Sequence, residues 1–317
     1  MKDIQFYANG RLAVLSTKLL GADKFLRLSE CNTLSEAVKV LTEGGYGGGV
    51  TVENPNDYEK ILMAETDSAI RLFAELCYDK YAVKYFLCRY VCHNVKVLMK
   101  RKYMRVEGVD DCFGCVGQDL PALQQQLVKD DYSALSKNLA AACHEVDVLF
   151  ADGNRSPQAV DVVIDKAMFA DMAAYAKKSR LKLVRELNES LADTTNLMLL
   201  CRLKKAGAKP QGFAQGGSIS AETLQKLFDN DGVAADLKQP YKDFYALCTS
   251  EQGLAAAERE QKRLRNALVR KYADFSTIQP AVEYFFKKTE ETDKVRMVLI
   301  SVKNGVEKDK IKSLIAG

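Results

Sequence analysis

Leu191-Ala-Asp-Thr-Thr-Asn196-Leu-Met-Leu-Leu-Cys-Arg202-Leu-Lys-Lys-Ala-Gly207 reads as one helix with a polar residue set into its apolar stripe. Leu199, Leu200 and Leu203 follow Asn196 at +3, +4 and +7, positions that share a helical face. Lys204 and Lys205 suit the negative end of the helix dipole, and Gly207 supplies a residue at ease in the left-handed stop. An earlier stretch, Val91-Cys-His-Asn94-Val-Lys-Val-Leu98-Met-Lys-Arg101-Lys102, has the same design, with Asn94 between Tyr90 and Leu98 on one face. A later one runs Glu291-Thr-Asp-Lys294-Val-Arg-Met-Val298-Leu-Ile-Ser-Val-Lys303-Asn-Gly305, with Lys294 in the asparagine's place. Asn94, Asn196 and Lys294 stand about a hundred residues apart, the mark of a weak internal triplication.

The rest of the chain fits three helical thirds, 1–107, 108–210 and 211–317. Leu12, Leu15, Leu19 and Leu20 give helical spacing from Tyr7 to about Leu28, and Thr33 with Glu36 forms a capping box for a helix through Leu41. Helices are expected from Asp57, from Lys80 to Arg101, twice between Ala122 and Phe150, and from Val160 to Ser179. Another carries Leu254, Ala257, Gln261, Leu264 and Leu268, and a short one, Lys308–Leu314, follows the last anchor. Ser156-Pro157 reads as a helix entry. Glu65, Asp161 and Glu258 sit on the charged helices preceding the three anchors. No run of strand-like alternation is present, so the expected class is all-α.

Composition narrows the function. Hydrophobic content of 47% with 28% charged residues in 317 is that of a globular protein, and only 6 prolines favour long helices. Net charge is +4, from 46 basic and 42 acidic residues, weak for a dedicated nucleic-acid binder. No apolar run approaches the roughly 20 residues of a membrane span, and Met1-Lys-Asp-Ile-Gln-Phe-Tyr lacks a signal-peptide core, so a cytoplasmic location is expected. Nine scattered cysteines suit a reducing compartment better than a disulfide framework.

The candidate chemistries each meet a plainer alternative. Gly44 to Gly49 lacks the Gly-Lys-Ser/Thr of a phosphate loop, and no βαβ unit surrounds it, so it is read as a flexible loop. Cys112-Phe-Gly-Cys115 has metal-knuckle spacing, with Cys88, Cys92 and His93 upstream, but a second well-spaced pair is missing. Asp161 and Asp165, one turn apart, could form an acid–base pair; Lys166 and Arg155 nearby favour simple charge pairing. Lys96, Lys100, Arg101, Lys102 and Arg105 could touch phosphates, or could be a basic helix end favoured by the dipole. Neither His93 nor His144 stands near a plausible serine or cysteine nucleophile constellation. The residues therefore point to no catalytic, cofactor-binding or metal site. The rival readings left open are a helical-repeat adaptor or RNA-binding scaffold, and a thiol or zinc enzyme using Cys112 and Cys115.

In order and spacing the chain resembles the C subunit of the V/A-type ATPases, whose eukaryotic V-ATPase counterpart is the d subunit. Tyr7-Ala-Asn-Gly-Arg11 through Lys18-Leu-Leu20 is similar to that family's first helix, as are Leu41-Thr-Glu-Gly-Gly-Tyr46 and Asp57-Tyr58-Glu59 to the segments that follow. Asp193, Asn196 and Arg202 match its middle pattern, and Lys287 through Gly305 its last. The glycine run at 44–49 and Lys294, where asparagine is more usual, depart from it. The resemblance implies three related domains in a pseudo-threefold funnel. It also implies a non-catalytic central-stalk rotor component that joins the central axle to the membrane proteolipid ring and transmits torque in ion transport, with no nucleotide, cofactor or nucleic acid bound.

Overall fold

The computed structural model describes residues 2–153, 156–251 and 253–316. The described residues form α-helices and two short 3-10 helices, with no strand, so the fold class is all-α. The helices are α1 (Lys2–Ser16), α2 (Ala22–Ser29), α3 (Leu34–Glu43), α4 (Tyr58–Leu76), α5 (Lys80–Met104), α6 (Leu120–Val128) and α7 (Lys137–Ala151). They continue as α8 (Pro157–Ser179), α9 (Lys182–Ala206), α10 (Ala221–Asp229), α11 (Tyr241–Thr249), α12 (Gly253–Lys271), α13 (Gln279–Lys303) and α14 (Lys308–Ala316).

Several helix starts follow local chemistry. Thr33 accepts a hydrogen bond from the Glu36 amide at 3.2 Å, and the Glu36 carboxylate accepts from the Asn32 amide at 2.8 Å, a capping box whose return bond falls one residue before the cap. Asp79, Asp119, Ser136 and Ser220 cap α5, α6, α7 and α10 in the same way, each accepting from amides of the first turn. Thr33→Ala should therefore lower stability by about 1 kcal/mol in a urea titration, without loss of the α3 core contacts. The first stretch is not one helix to Leu28. It breaks at residues 17–21, where Thr17, Lys18 and Leu19 make short turn bonds and Gly21 takes an extended conformation before α2. Helical spacing of leucines does not register such a break, because both pieces keep the period.

The chain forms two compact units, one of Met1–Tyr78, Phe113–Gly117 and Asp274–Gly317, the other of Asp79–Cys112 and Gln118–Ala273. In the first, α13 runs through the core and packs on α1, α2, α3, α4 and α14. Its Val295, Val298 and Leu299 meet Leu28, Leu41, Ile61 and Leu62, and the Phe285 ring lies 4.9 Å from that of Phe73. In the second, α5 packs on α8, α8 on α7 and α9, and α9 on α10, α11 and α12. The first and last helices thus lie in one unit.

The three anchor stretches are the three longest helices, α5, α9 and α13, of 25 residues each. Their buried faces coincide in register. Ala82, Tyr85, Cys88, Cys92, Val95 and Leu98 are buried on α5. The residues 102 further on, Val184, Leu187, Ser190, Thr194, Leu197 and Leu200, are buried on α9. Those 98 further again, Val282, Phe285, Lys288, Thr292, Val295 and Val298, are buried on α13.

Candidate functional site

The polar positions of these three helices hold the segments packed against them. On α9, Asp193 is fully buried and accepts from the Ser218 amide at 3.0 Å, the Ser218 hydroxyl at 2.6 Å and the Ile219 amide at 3.0 Å. One turn on, the Asn196 side chain donates to the Ala214 carbonyl at 3.0 Å and accepts from its amide at 2.7 Å. Asn188 donates to the Gly216 carbonyl at 3.1 Å. The loop lies so close that a Cβ on Gly217 would stand 2.2 Å from an Asp193 oxygen, and one on Gly216, at φ +91°, 2.5 Å from the Asn188 amide nitrogen. Only glycines allow that approach.

The other two helices use the same register position. Asn94, fully buried on α5, donates to Gln118 at 3.0 Å. Lys294 donates to the Ile315 carbonyl of α14 at 3.3 Å. Each of the three therefore binds the segment 18–24 residues after it. Lys294 itself is exposed, not set into an apolar stripe as expected, because its partner is the end of α14 at the surface. Of the buried polar residues of α13, Gln279 and Ser301 lie near its ends, and Lys288, Glu291 and Thr292 lie together in its middle.

These three surround a charge cluster at the centre of the first unit. The Lys288 ammonium bonds Glu291 at 2.6 Å and Glu65 of α4, and rests 4.9 Å from the centroid of the Tyr46 ring. The free oxygens are satisfied by backbone: Glu65 accepts from the Gly47 amide at 2.7 Å and Glu291 from the Leu20 amide at 2.5 Å. Tyr46 shares a hydrogen bond with Thr292 at 3.2 Å, and burial pushes its phenol far above the usual tyrosine range. The glycine run is thus no loose tether. Gly47, at φ +82°, lies where a Cβ would stand 2.5 Å from an Ile61 methyl.

Glu65, Asp161 and Glu258 each reach a long helix, but not the one that follows them. Asp161 of α8 bonds Lys100 of α5 at 2.7 Å, Glu258 of α12 bonds Arg202 of α9 at 3.2 Å, and Glu65 of α4 bonds Lys288 of α13. The partners of Asp161 and Asp165 are accordingly Lys100 and Lys96, the latter at 2.5 Å from Asp165, rather than Lys166; Arg155 lies outside the described residues. Of the basic stretch on α5, Arg101 pairs with Asp111 at 2.6 Å, and Lys102 with Asp130 at 2.6 Å and Asp147 at 2.8 Å, so four of its five cations face carboxylates. Arg105 forms the left-handed stop of α5.

Asp147 also accepts from the hydroxyls of Tyr103 and Tyr132, and the His144 ring stands edge-on to Tyr132 at 4.7 Å. Burial raises the Asp147 pKa, yet Lys102 and the two phenols outweigh it and hold the carboxyl below its ordinary value. A lowered carboxylate stabilises the fold above its unfolded pKa and loses that contribution as pH falls through the folded one. Asp147→Asn should therefore be less stable at neutral pH, and its stability should fall less between pH ~4 and ~2; equal acid profiles would count against it.

The thiols are buried rather than poised. Cys112 is pushed up to about 11 and Cys143 to about 12, both by burial. Cys92 stands still higher through its contact with Cys88, 4.0 Å away, and through burial. Cys115 accepts from Arg71 at 3.2 Å, and His93 donates to the Asp111 carbonyl at 3.0 Å. Among the described residues no three of His, Cys, Asp or Glu are grouped to hold a metal. Seven cysteines are buried and only Cys31 and Cys115 are partly exposed. Native protein should thus release colour from a thiol reagent rapidly at those two alone, and at all nine in denaturant.

Residues 8–314 match the family described as ATP synthase (C/AC39) subunit. The chain belongs to that family. It is similar to proteins named as the C subunit of A-type ATP synthases. That of Thermococcus gammatolerans is 22% identical, over 98% of this chain and 89% of the relative. Those of Pyrococcus abyssi and Methanosarcina mazei are 21% and 22% identical, over 98% and 96% of this chain and 89% and 91% of theirs. For a C/AC39 chain, the residues that carried the resemblance occupy structural places. Arg11 pairs with Glu75 at 2.6 Å, Glu59 with Arg296 at 3.0 Å, and Tyr46, Asp193 and Asn196 belong to the buried sets above, while Tyr7 is exposed. Among the described residues no helix is long and apolar enough to cross a membrane. Sequence reasoning missed Lys288 and Glu291, although Glu291 stands 98 residues after Asp193 and Lys288 the same distance after Ser190.

Proposed function

We propose that this chain is a non-catalytic central-stalk spacer of a rotary V/A-type ATPase, cytoplasmic and peripheral to the membrane. It takes the end of the central axle on one side, stands on the membrane proteolipid ring on the other, and passes torque between them. The observation that carries this reading, beside family membership, is the set of three long helices with one burial register, each fastened to neighbouring segments by polar side chains. A torque-bearing body must not yield, and close-packed helices crossed by buried hydrogen bonds have low compressibility. The same register supports three related helical domains, in the pseudo-threefold funnel that the resemblance implies.

The test is recovery of partners through a tag on this chain in native membranes. Axle and proteolipid components recovered with ATPase activity, and unchanged hydrolysis by the catalytic part when this chain is omitted, would bear the reading out. Recovery of RNA, or of the chain alone, would overturn it.

A further inference from the structure

Charge is not spread evenly over this protein. Helix α12 carries Arg259, Lys262, Arg263, Arg265, Arg270 and Lys271 against only Glu258 and Glu260, a net of +4, and the whole chain is also +4. The rest of the sequence is therefore balanced. At about 100° per residue, Arg259, Lys262, Arg263 and Arg270 fall within an arc of about 100°, along roughly 16 Å of helix. All four are exposed. Arg263 pairs with Glu260 at 2.6 Å; among the described residues Arg259, Lys262 and Arg270 have no carboxylate within ion-pair reach. The opposite face is packed, with Ala257 buried and Leu254 and Leu264 against the core of the second unit.

We propose that this stripe is a docking surface for an acidic helical segment of another protein. Carboxylates spaced three and four residues apart on such a helix repeat at the pitch of the cations opposite. The apolar face of α12 is already used in the core, so the helix cannot lie in a lipid surface by its own apolar side. No aromatic residue stands on the stripe to stack on bases, as single-stranded nucleic-acid sites require. That the partner is a further component of the same ATPase rests on the function proposed above; the preference for an acidic helix does not.

Two measurements on the full chain separate these statements. The first is fluorescence anisotropy with a labelled glutamate-rich helical peptide, an RNA oligonucleotide and vesicles containing phosphatidylglycerol. Wild type should bind the peptide most tightly, with affinity falling as salt rises. Arg259→Ala, Lys262→Ala and Arg270→Ala together should weaken it roughly tenfold, whereas removing the exposed Lys18, Lys242 and Lys310 should not. Equal weakening by both sets, no peptide binding, or tighter binding of RNA or vesicles would overturn the proposal. The second is recovery from native membranes. Loss of ATPase components from the stripe variant alone supports it. Full recovery by that variant refutes the stripe while leaving the spacer reading intact. If even wild type recovers none of them, the spacer reading fails, and the peptide titration by itself decides the stripe.

Discussion

Lys288→Ala should cost about 3–5 kcal/mol of stability, the largest effect of any single substitution in the charge cluster. Its side chain is 11% exposed, with Glu65 at 14% and Glu291 at 5%. Removing the ammonium leaves two buried carboxylates facing one another with no cation between them. Each keeps one backbone donor, from Gly47 or Leu20, which cannot offset the loss of the shared charge. Burial pulls the Lys288 pKa down, but Glu291 and Glu65 outweigh it and the value is raised. A raised amine stabilises the fold fully below its unfolded value near ~10.4 and loses that contribution only as pH rises through the folded one. The defect should therefore be complete at neutral pH. Urea denaturation measures it, with hydrogen exchange on the α13 peptides to place it. Glu65→Gln with Glu291→Gln in the Lys288→Ala background should recover part of the loss, since the uncompensated charge is then gone. A Lys288→Ala protein within about 1 kcal/mol of wild type would show that the cluster is hydrated and of little weight.

Asp193→Ala should cost about 2–4 kcal/mol. Three donors, two of them amides of Ser218 and Ile219, lose their acceptor at a fully buried position. The loss should appear first as rapid hydrogen exchange and proteolysis between residues 211 and 219, because that loop then keeps the bonds from Asn196 and Asn188 but loses the three to Asp193. Asp193→Asn keeps the shape and one acceptor oxygen, so it should fall between the two. If both variants keep wild-type exchange in the loop, Asp193 is not what fastens it.

Legibility in the sequence followed the range of the interaction. The helical class, the capping box at Thr33 and the three anchors with their spacing rested on contacts within a turn or two, and periodicity reports those directly. Asn94 and Asn196 were recognisable as polar residues in apolar stripes, yet their partners, Gln118 and Ala214, lie on irregular segments with no period to read. Lys294 misled because sequence register does not say whether the segment that covers a position continues to the surface. Arg11 and Glu59 were legible only through resemblance, since Glu75 and Arg296 are far along the chain.

The amino-acid order alone therefore settled an all-helical chain with three matched long helices and, by resemblance, the family. It did not settle which helix each acidic residue would meet. Glu65 stands 29 residues before Asn94 in the chain, but bonds Lys288 on α13 at the other end of it. Packing brings α4 against α13 and leaves α5 to α8, because each long helix buries its apolar face on whichever amphipathic helix closes a core around it. Hydrophobic faces carry no address. The choice among several that would fit is made only when the whole chain is condensed.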